Sequence, residues 1–375
     1  MAKDRKACSK STKKIAIFLT DLGGGGAERV MLNLANGFIA RGFEVDLLLV
    51  NSEGPYLSKL HRDIKLIGFK ASKLSSSIPE LVSYLKQTQP DVLITALEDT
   101  NLAAIFAHLL ARVPTRMVVT VHNNLTQESK RLKSLKRKLV PKLIRWTYPF
   151  ADLVVAVSHG VAEDLTRLGI HPDKVRVIYN PIITPDFDDT ARAYPEHPWF
   201  SDPDCPLILG VGRLEPQKDF ETLIRAYSLV RQQLPARLMI LGQGSQHQKL
   251  LALCKELNLS EAEVTFPGFV ENPLAYMAQS SVCVLSSAWE GFGNVLVESM
   301  GAGTPVVSTD CPSGPTEILE NGKHGRLVSV GAWKEMASAI LDTLNEPPRS
   351  QELKQRAQRF CLDRILDEYQ QHLFG

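Results

Sequence analysis

The chain has 375 residues, enough for two domains of about 100–200 residues each. Its 44% hydrophobic and 22% charged residues exclude a disordered, collagen-like or low-complexity protein, and no apolar run reaches the roughly 18–20 residues of a membrane-spanning helix. The net charge of +2 hides an uneven division: residues 1–185 carry 27 Lys and Arg against 16 Asp and Glu, net +11, and residues 186–375 carry 16 against 25, net −9. A basic half joined to an acidic half suggests that the basic half meets an anionic partner.

The first fourteen residues are basic and polar, and the apolar run after them, Ile15 to Thr20, is too short for a secretory leader. It reads as the first of a series of strands: 13–20, 44–50, 64–69, 91–96, 116–121, 152–158 and 174–179. Helical patterns lie between most of them, at 28–41, 77–88, 99–112, 126–149 and 159–168. Near-continuous apolar strands alternating with amphipathic helices predict a parallel sheet covered on both faces. At 182–206 five prolines and many acids replace the periodic pattern, which predicts a linker. Alternation resumes with strands at 207–213, 237–244, 264–269, 282–287, 305–309 and 325–330 and helices at 218–234, 246–257, 272–280, 292–302 and 332–344. A charged amphipathic helix at about 348–373 closes the chain. The expected organisation is α/β, with a domain at 1–185, a linker at 186–206, a second domain at 207–347 and a C-terminal segment at 348–375. Ligands then belong in a crevice at the carboxyl ends of the strands.

Three strand-to-helix turns carry chemistry. Gly23 to Gly26, followed by Ala27 and Glu28, is bare backbone before a helix, suited to an anion or a sugar, or else a plain flexible turn. It lacks the Lys-Ser/Thr of a phosphate-binding loop and the spacing of a dinucleotide fingerprint. The strand at 207–213 ends in Arg213, and the next loop carries Lys218. Two cations at a strand end suit a diphosphate, although most such pairs are solvated surface groups. Trp289 to Glu298 places Glu290 in a loop ahead of a helix and Glu298 about two turns inside it. Acids there can accept sugar hydroxyls while the helix end accepts phosphate charge; two carboxylates alone equally fit a capping acid and a surface acid. The six cysteines, Cys8, Cys205, Cys254, Cys283, Cys311 and Cys361, show no C-x-x-C, so neither a disulfide scaffold nor a zinc site is expected, and a reducing cytosol fits.

Together, the Gly-rich turn ending in Glu28-Arg29, the Gly212-Arg213-Leu214 and Lys218 element, the Glu290-x7-Glu298 spacing and Ser313 to Leu319 resemble the family-4 retaining glycosyltransferases of the GT-B fold. The resemblance spans nearly the whole chain. It implies two Rossmann-like domains facing each other across a deep cleft, a nucleotide-sugar donor held mainly by the C-terminal domain, and an acceptor held mainly by the N-terminal one. By position, Arg213 and Lys218 match the cations on the donor diphosphate, with the backbone of Gly293, Asn294 and Val295. Glu290, Phe292 and Gly293 match the group around the donor sugar. Glu298 matches the ribose-binding acid, Val270 the contact to the base, and Gly25 and Gly26 the acceptor-side loop. His122 matches a His near the reacting sugar and joins Glu290 as a candidate catalytic residue. The resemblance favours UDP over GDP and needs no metal cofactor. Asp186-x-Asp188 and Asp202-x-Asp204 lie in the acidic linker, not after an apolar strand, and read as incidental.

The stretch 130–146 holds eight cations and no acid, with Leu132, Leu135, Leu139, Leu143 and Trp146 on one helical face. Pro141 is expected to kink or break this helix. Two readings compete: an anionic membrane surface bound through Lys133, Lys136, Arg137 and Lys138, or a core-packed stripe with a solvated basic face. Nucleic acid is disfavoured, since the stretch has a single aromatic and no binding signature. The function expected is retaining transfer of a hexose or N-acetylhexosamine from a UDP-sugar to a lipid-linked oligosaccharide or lipopolysaccharide, by a cytoplasmic protein held peripherally at the inner face of the membrane. The alternatives are a soluble glycosyltransferase with a small sugar acceptor, and a non-catalytic basic protein binding membrane or nucleic acid on the same fold.

Overall fold

A computed structural model describes residues 12–71, 73–131, 135–201 and 205–375, without the side chains of 131 and 135–138. Seven strands form the first sheet: β1 (Lys14–Leu19), β2 (Glu44–Leu49), β3 (Lys65–Gly68), β4 (Val92–Ala96), β5 (Arg116–Val121), β6 (Leu153–Ala156) and β7 (Val175–Val177), in the order β3-β2-β1-β4-β5-β6-β7. Strand β1 pairs in parallel with β2 and β4, β2 with β3, and β4 with β5. Ile15 to Leu19 and Val92 to Ala96 are buried on both faces, which is why these strands read as unbroken apolar runs.

Six parallel strands form the second sheet: β8 (Leu207–Val211), β9 (Arg237–Leu241), β10 (Val264–Gly268), β11 (Val282–Leu285), β12 (Val306–Thr309) and β13 (Arg326–Val328), in the order β10-β9-β8-β11-β12-β13. Ile208, Leu238, Ile240, Val282 and Val284 join Leu223, Ile224 and Tyr227 of the helix Phe220–Val230 and Ile340 of the helix Trp333–Asn345 in one apolar core. In this sheet the strand order reverses between β8 and β11, so their carboxyl ends flank a natural ligand position. Two compact units result. The first runs to Thr120 and takes in Thr147–Val154 and Leu373–Gly375; the second comprises Val121–Trp146 and Val155–His372.

All thirteen expected strands form, each within the expected range. Five of the second half's six strands are trimmed at their carboxyl ends: Gly212 and Arg213 leave β8, and Ser286 and Ser287 leave β11, so the groups expected to do chemistry sit in loops. Two expectations need correction. The segment after 182 is not a bare tether, because Phe187–Ala191 is a helix whose Phe187 is buried and whose Thr190 carbonyl accepts from Asn272 Nδ2 at 2.8 Å. The closing helix is two helices, Ser350–Ala357 and Leu362–Phe374. It breaks because the Phe360 carbonyl accepts from the amides of Ile182 and Ile183, at 2.9 and 3.2 Å, and Cys361 bridges Ile183. Over the described part of the expected helix 126–149, Leu125–Arg131 and Leu135–Thr147 are helical, and Pro141 lies inside the latter stretch. In that stretch Leu139, Leu143 and Trp146 are 49, 46 and 77% exposed, while Ile144 is fully buried. A core-packed Leu/Trp stripe therefore does not hold for these three residues.

Candidate functional site

The carboxyl ends of β8 and β11 bring Lys218 and Glu290 together. The turn after β8 carries Lys218 to the helix Phe220–Val230, and the loop after β11 carries Glu290 toward the helix Asn294–Ala302. Lys218 Nζ meets Glu290 Oε1 at 2.5 Å, with side-chain exposures of only 18 and 8%. The same oxygen accepts from Ser287 Oγ at 2.6 Å. The two loops are stitched along their backbones: Ser286 Oγ donates to the Lys218 carbonyl at 2.8 Å and the Ala288 amide to the Gln217 carbonyl at 2.8 Å. A buried ion pair at a helix entrance keeps a cation and an acid in fixed register, each available to a ligand that offers the complementary group.

Every residue of the loop from Gly291 to Asn294 has an anchor. The Gly291 carbonyl accepts from Ser158 Oγ at 2.6 Å. Phe292 is buried and its ring lies 5.4 Å from both Tyr179 and Phe360. Gly293, at φ 99°, caps the helix. Asn294 Oδ1 accepts from Asn180 Nδ2 at 2.8 Å. The turn Ser313-Gly314 closes over this loop: a Cβ on Gly314 would collide with the Phe292 carbonyl, and its φ of +94° also demands glycine. Because the helix starts at Asn294, Glu298 is its fifth residue, one turn in and not two, and it is buried. The amides of Asn294 and Val295 belong to the first helical turn, where no intrahelical carbonyl reaches them, so they can take an anion.

His122 follows β5, and its backbone lies against the acid loop: a Cβ on Gly291 would collide with the His122 carbonyl oxygen. Gln217 Nε2 bridges the two segments, donating to the Trp289 carbonyl at 3.0 Å and to Asn123 Oδ1 at 3.5 Å. Asn124 Nδ2 donates to Ser313 Oγ at 3.0 Å. Desolvation pushes the His122 imidazole down to about 4, so it is neutral at physiological pH.

The remaining expected residues are placed as follows. Arg213 is exposed in the turn after β8, with no side-chain partner among the described residues. Val270 stands two residues beyond the end of β10, half-buried. Gly25 and Gly26 lie in the first unit, where Gly25 caps the helix Gly26–Ala40 and Gly26 opens it. Lys133 lies outside the described residues, as do the side chains of Lys136, Arg137 and Lys138, and Asp202 and Asp204. Asp186 and Asp188 are exposed, and Asp186 Oδ1 accepts from Thr184 Oγ1 at 2.6 Å. No group of three or more His, Cys, Asp or Glu suited to a metal ion occurs among the described residues. Sequence reading missed Ser158, Tyr179, Asn180, Gln217 and Glu317. Ser158, Tyr179-Asn180 and Gln217 lie within two to six residues past strand ends, and Glu317 lies within the Ser313–Leu319 motif, usable signals; which groups they meet shows only in their long-range contacts.

Known proteins share this organisation. The family model for Glycosyltransferase Family 4 matches residues 24–185, and that for Glycosyl transferases group 1 matches 197–360. The chain is 33% identical over 368 residues to the Campylobacter jejuni N-acetylgalactosamine-N,N'-diacetylbacillosaminyl-diphospho-undecaprenol 4-alpha-N-acetylgalactosaminyltransferase, covering 92% of this chain and 94% of that protein. It is 25% identical over 362 residues to a second C. jejuni enzyme, GalNAc-alpha-(1->4)-GalNAc-alpha-(1->3)-diNAcBac-PP-undecaprenol alpha-1,4-N-acetyl-D-galactosaminyltransferase, covering 93% of this chain and 94% of that one. The crystal structure of Anabaena HepE in complex with UDP-glucose superposes with a TM-score of 0.79 at 22% identity, covering 96% of this chain and 99% of HepE. With two parallel-sheet α/β domains and these relatives, the chain belongs to the family-4 glycosyltransferases of the GT-B fold.

Proposed function

We propose that this glycosyltransferase moves a hexose or N-acetylhexosamine from a UDP-sugar, with retention at the anomeric carbon, to a lipid-linked oligosaccharide or lipopolysaccharide at the inner face of a membrane. The observation that carries the proposal is the buried Lys218–Glu290 pair at the carboxyl ends of β8 and β11, beside a helix entrance with free amides. In this reading Arg213, Lys218 and the amides of Gly293, Asn294 and Val295 hold the diphosphate and stabilise it as it leaves. Glu290, Phe292 and Gly293 surround the donor sugar, Glu298 accepts from the ribose, and Val270 meets the base. Residues 207–347 form the donor side and 1–185 the acceptor side, where Gly25 and Gly26 form the acceptor loop. His122 contacts the sugar or the acceptor as a neutral imidazole.

The chemistry follows from these placements. The bond from the anomeric carbon to the diphosphate oxygen breaks, the acceptor oxygen forms its bond on the same face, and its proton passes to the leaving diphosphate. Charge builds on the diphosphate, where two cations and helix amides lie, so resident side chains supply what a metal would otherwise supply. Support for the donor comes from HepE, solved with UDP-glucose, and for the acceptor from the two C. jejuni relatives, named for diphospho-undecaprenol-linked glycans. Support for the membrane comes from the exposed Leu139, Leu143 and Trp146 beside the exposed Lys142 and Arg145. Among the described residues no helix is long and apolar enough to cross a membrane. The test is calorimetry with UDP and GDP, then incubation with a panel of UDP-sugars and undecaprenyl-diphosphate glycans and mass spectrometry of the products. Tighter binding of GDP, or a mass gain only on small soluble sugars, would overturn the donor or the acceptor assignment.

A further inference from the structure

Glu317 lies outside the groups assigned above, yet its carboxylate joins three segments of the second unit. Oε1 accepts from the Gly160 amide at 2.9 Å and Oε2 from the His159 amide at 2.9 Å, both in the first turn of the helix His159–Arg167. Oε2 also accepts from the Tyr179 hydroxyl at 3.2 Å. Desolvation, reinforced by Glu317 itself, pushes the Tyr179 phenol up to about 12, so it stays a proton donor. Arg356 fixes the other side of the segment, donating to the carbonyls of Glu317 and Ile318 at 2.7 and 2.8 Å. The Tyr179 ring, held by that hydroxyl, packs against Phe292 in a tilted contact, with ring centroids 5.4 Å apart.

We propose that Glu317 is a positioning residue for the transfer reaction: through Tyr179 it fixes Phe292, and with it the loop from Glu290 to Asn294, in the geometry the reacting donor needs. The inference rests on the reading of that loop as the donor loop. Three donors converge on one side chain, and only an ionised carboxylate is acceptor-only on both oxygens. A glutamine turns an NH2 toward at least one of these donors. Helix and charge also agree, since an acid is favoured at the amino end of a helix. Phe360 and Gly314 still hold Phe292 when Tyr179 is released, so the loop loosens without leaving its place. Loss of Glu317 is therefore expected to reach the transition state more than nucleotide binding.

The experiment compares wild type with Glu317→Gln, Glu317→Ala, Tyr179→Phe and Glu317→Ala/Tyr179→Phe. The readouts are UDP affinity by calorimetry and steady-state UDP release from whichever of UDP-glucose, UDP-galactose, UDP-N-acetylglucosamine and UDP-N-acetylgalactosamine wild type turns over fastest. Both Glu317 variants are expected to lose about 10–100-fold in kcat, as small misplacements of a site do. UDP affinity and donor KM should move by less than about threefold. Tyr179→Phe should fall in the same direction by less, and the double variant should be no worse than Glu317→Ala alone, because both act through one contact. Ile340→Val, in the core of the second sheet, is the control for lost stability without lost kcat. Wild-type kcat in Glu317→Gln, or additive losses in the double variant, would overturn the inference. Should Glu317→Ala not fold, Glu317→Gln and Tyr179→Phe still decide it. Lys218→Ala, run alongside, separates the two failures. If it binds UDP like wild type, the donor-site reading fails and takes this inference with it. If it binds UDP weakly while the Glu317 variants turn over normally, only the role of Glu317 falls.

Discussion

Replacing Lys218 tests the ion pair and the donor site together, and the structure separates the two effects. Glu290 has two side-chain donors on Oε1, Lys218 Nζ at 2.5 Å and Ser287 Oγ at 2.6 Å. Lys218→Met leaves a carboxylate that is 8% exposed with the serine alone. Breaking a fully buried pair costs about 3–5 kcal/mol. Lys218 is 18% exposed, so water screens part of the interaction and about 2–3 kcal/mol is expected. At about 2–4 °C per kcal/mol for a unit of this size, the melting temperature should fall by about 5–10 °C. Lys218→Met/Glu290→Gln removes both charges and should recover most of that loss.

Nucleotide binding should follow a different order across the same variants. In the free protein Lys218 is tied to Glu290, so a diphosphate bound as proposed would have to draw it away. Lys218→Met loses a charge-assisted hydrogen bond of about 1.5–3 kcal/mol, weakening UDP about 10–150-fold. The double variant stays equally weak although its fold is restored. Glu290→Gln alone releases Lys218 to the diphosphate, so UDP should bind as tightly as to wild type or up to about tenfold tighter, while turnover of the UDP-sugar drops. Differential scanning calorimetry and titration calorimetry on the four proteins give both series. UDP affinity that tracks thermal stability, with the double variant recovering both, would refute the assignment of Lys218 to the diphosphate.

Three further outcomes are expected. His122 has its pKa lowered to about 4 by burial, so between pH 6.5 and 4 the unfolded chain binds a proton that the folded one refuses. Stability therefore falls as pH drops through that window, by about 3 kcal/mol in all, and denaturant melts of His122→Asn should show a flatter pH profile; an unchanged profile would mean that the imidazole is not desolvated in the folded chain. Turnover should survive excess EDTA if Arg213, Lys218 and helix amides carry the diphosphate charge as proposed; loss on chelation with recovery on Mn²⁺ or Mg²⁺ would contradict this. Anionic but not zwitterionic vesicles should sediment the protein at low salt, less so after Lys133, Lys136, Arg137 and Lys138 become Gln; Leu143→Ser/Trp146→Ser should remove the salt-resistant part. Wild-type protein left in the supernatant with anionic vesicles would move the soluble-acceptor alternative ahead.

The strands were legible because both faces of each sheet are covered. Ile15 to Leu19 and Val92 to Ala96 must be apolar at every position, and such runs leave little room for another reading. Most residues expected at the site lie in turns after strand ends, Glu298 being inside the helix that follows one, and topology then brings two of those ends together. What could not be read was pairing. Nothing local links Lys218 to Glu290 across 72 positions, or His159 and Gly160 to Glu317 across more than 150. The break in the last helix has the same origin: residues 358–361 are as helical in composition as their neighbours, and the Phe360 carbonyl is claimed by amides near position 183. The segment after 182 misled for a related reason, since prolines and acids mark the absence of a periodic face and do not report that Phe187 will be buried.

The anchors of the loop from Gly291 to Asn294 suggest why so many distant segments converge there. Transfer requires the sugar to stay fixed while the diphosphate moves from ester to leaving group, so groups that face the sugar must not follow groups that face the phosphate. Glu290 and Lys218 begin as partners, and a ligand that separates them would drag the acid unless the loop around it were held independently. It is: Ser158 takes the carbonyl of Gly291, Tyr179 and Phe360 the ring of Phe292, and Asn180 the side chain of Asn294. None of these contacts involves Lys218. The lysine can therefore change partners on a flexible four-carbon stem while the backbone amides and the acid keep their places, the preorganisation that makes electrostatic stabilisation effective. On this argument, substitutions at the anchors should couple strongly to Glu290 and weakly to Lys218, because the first share a rigid body and the second moves against it.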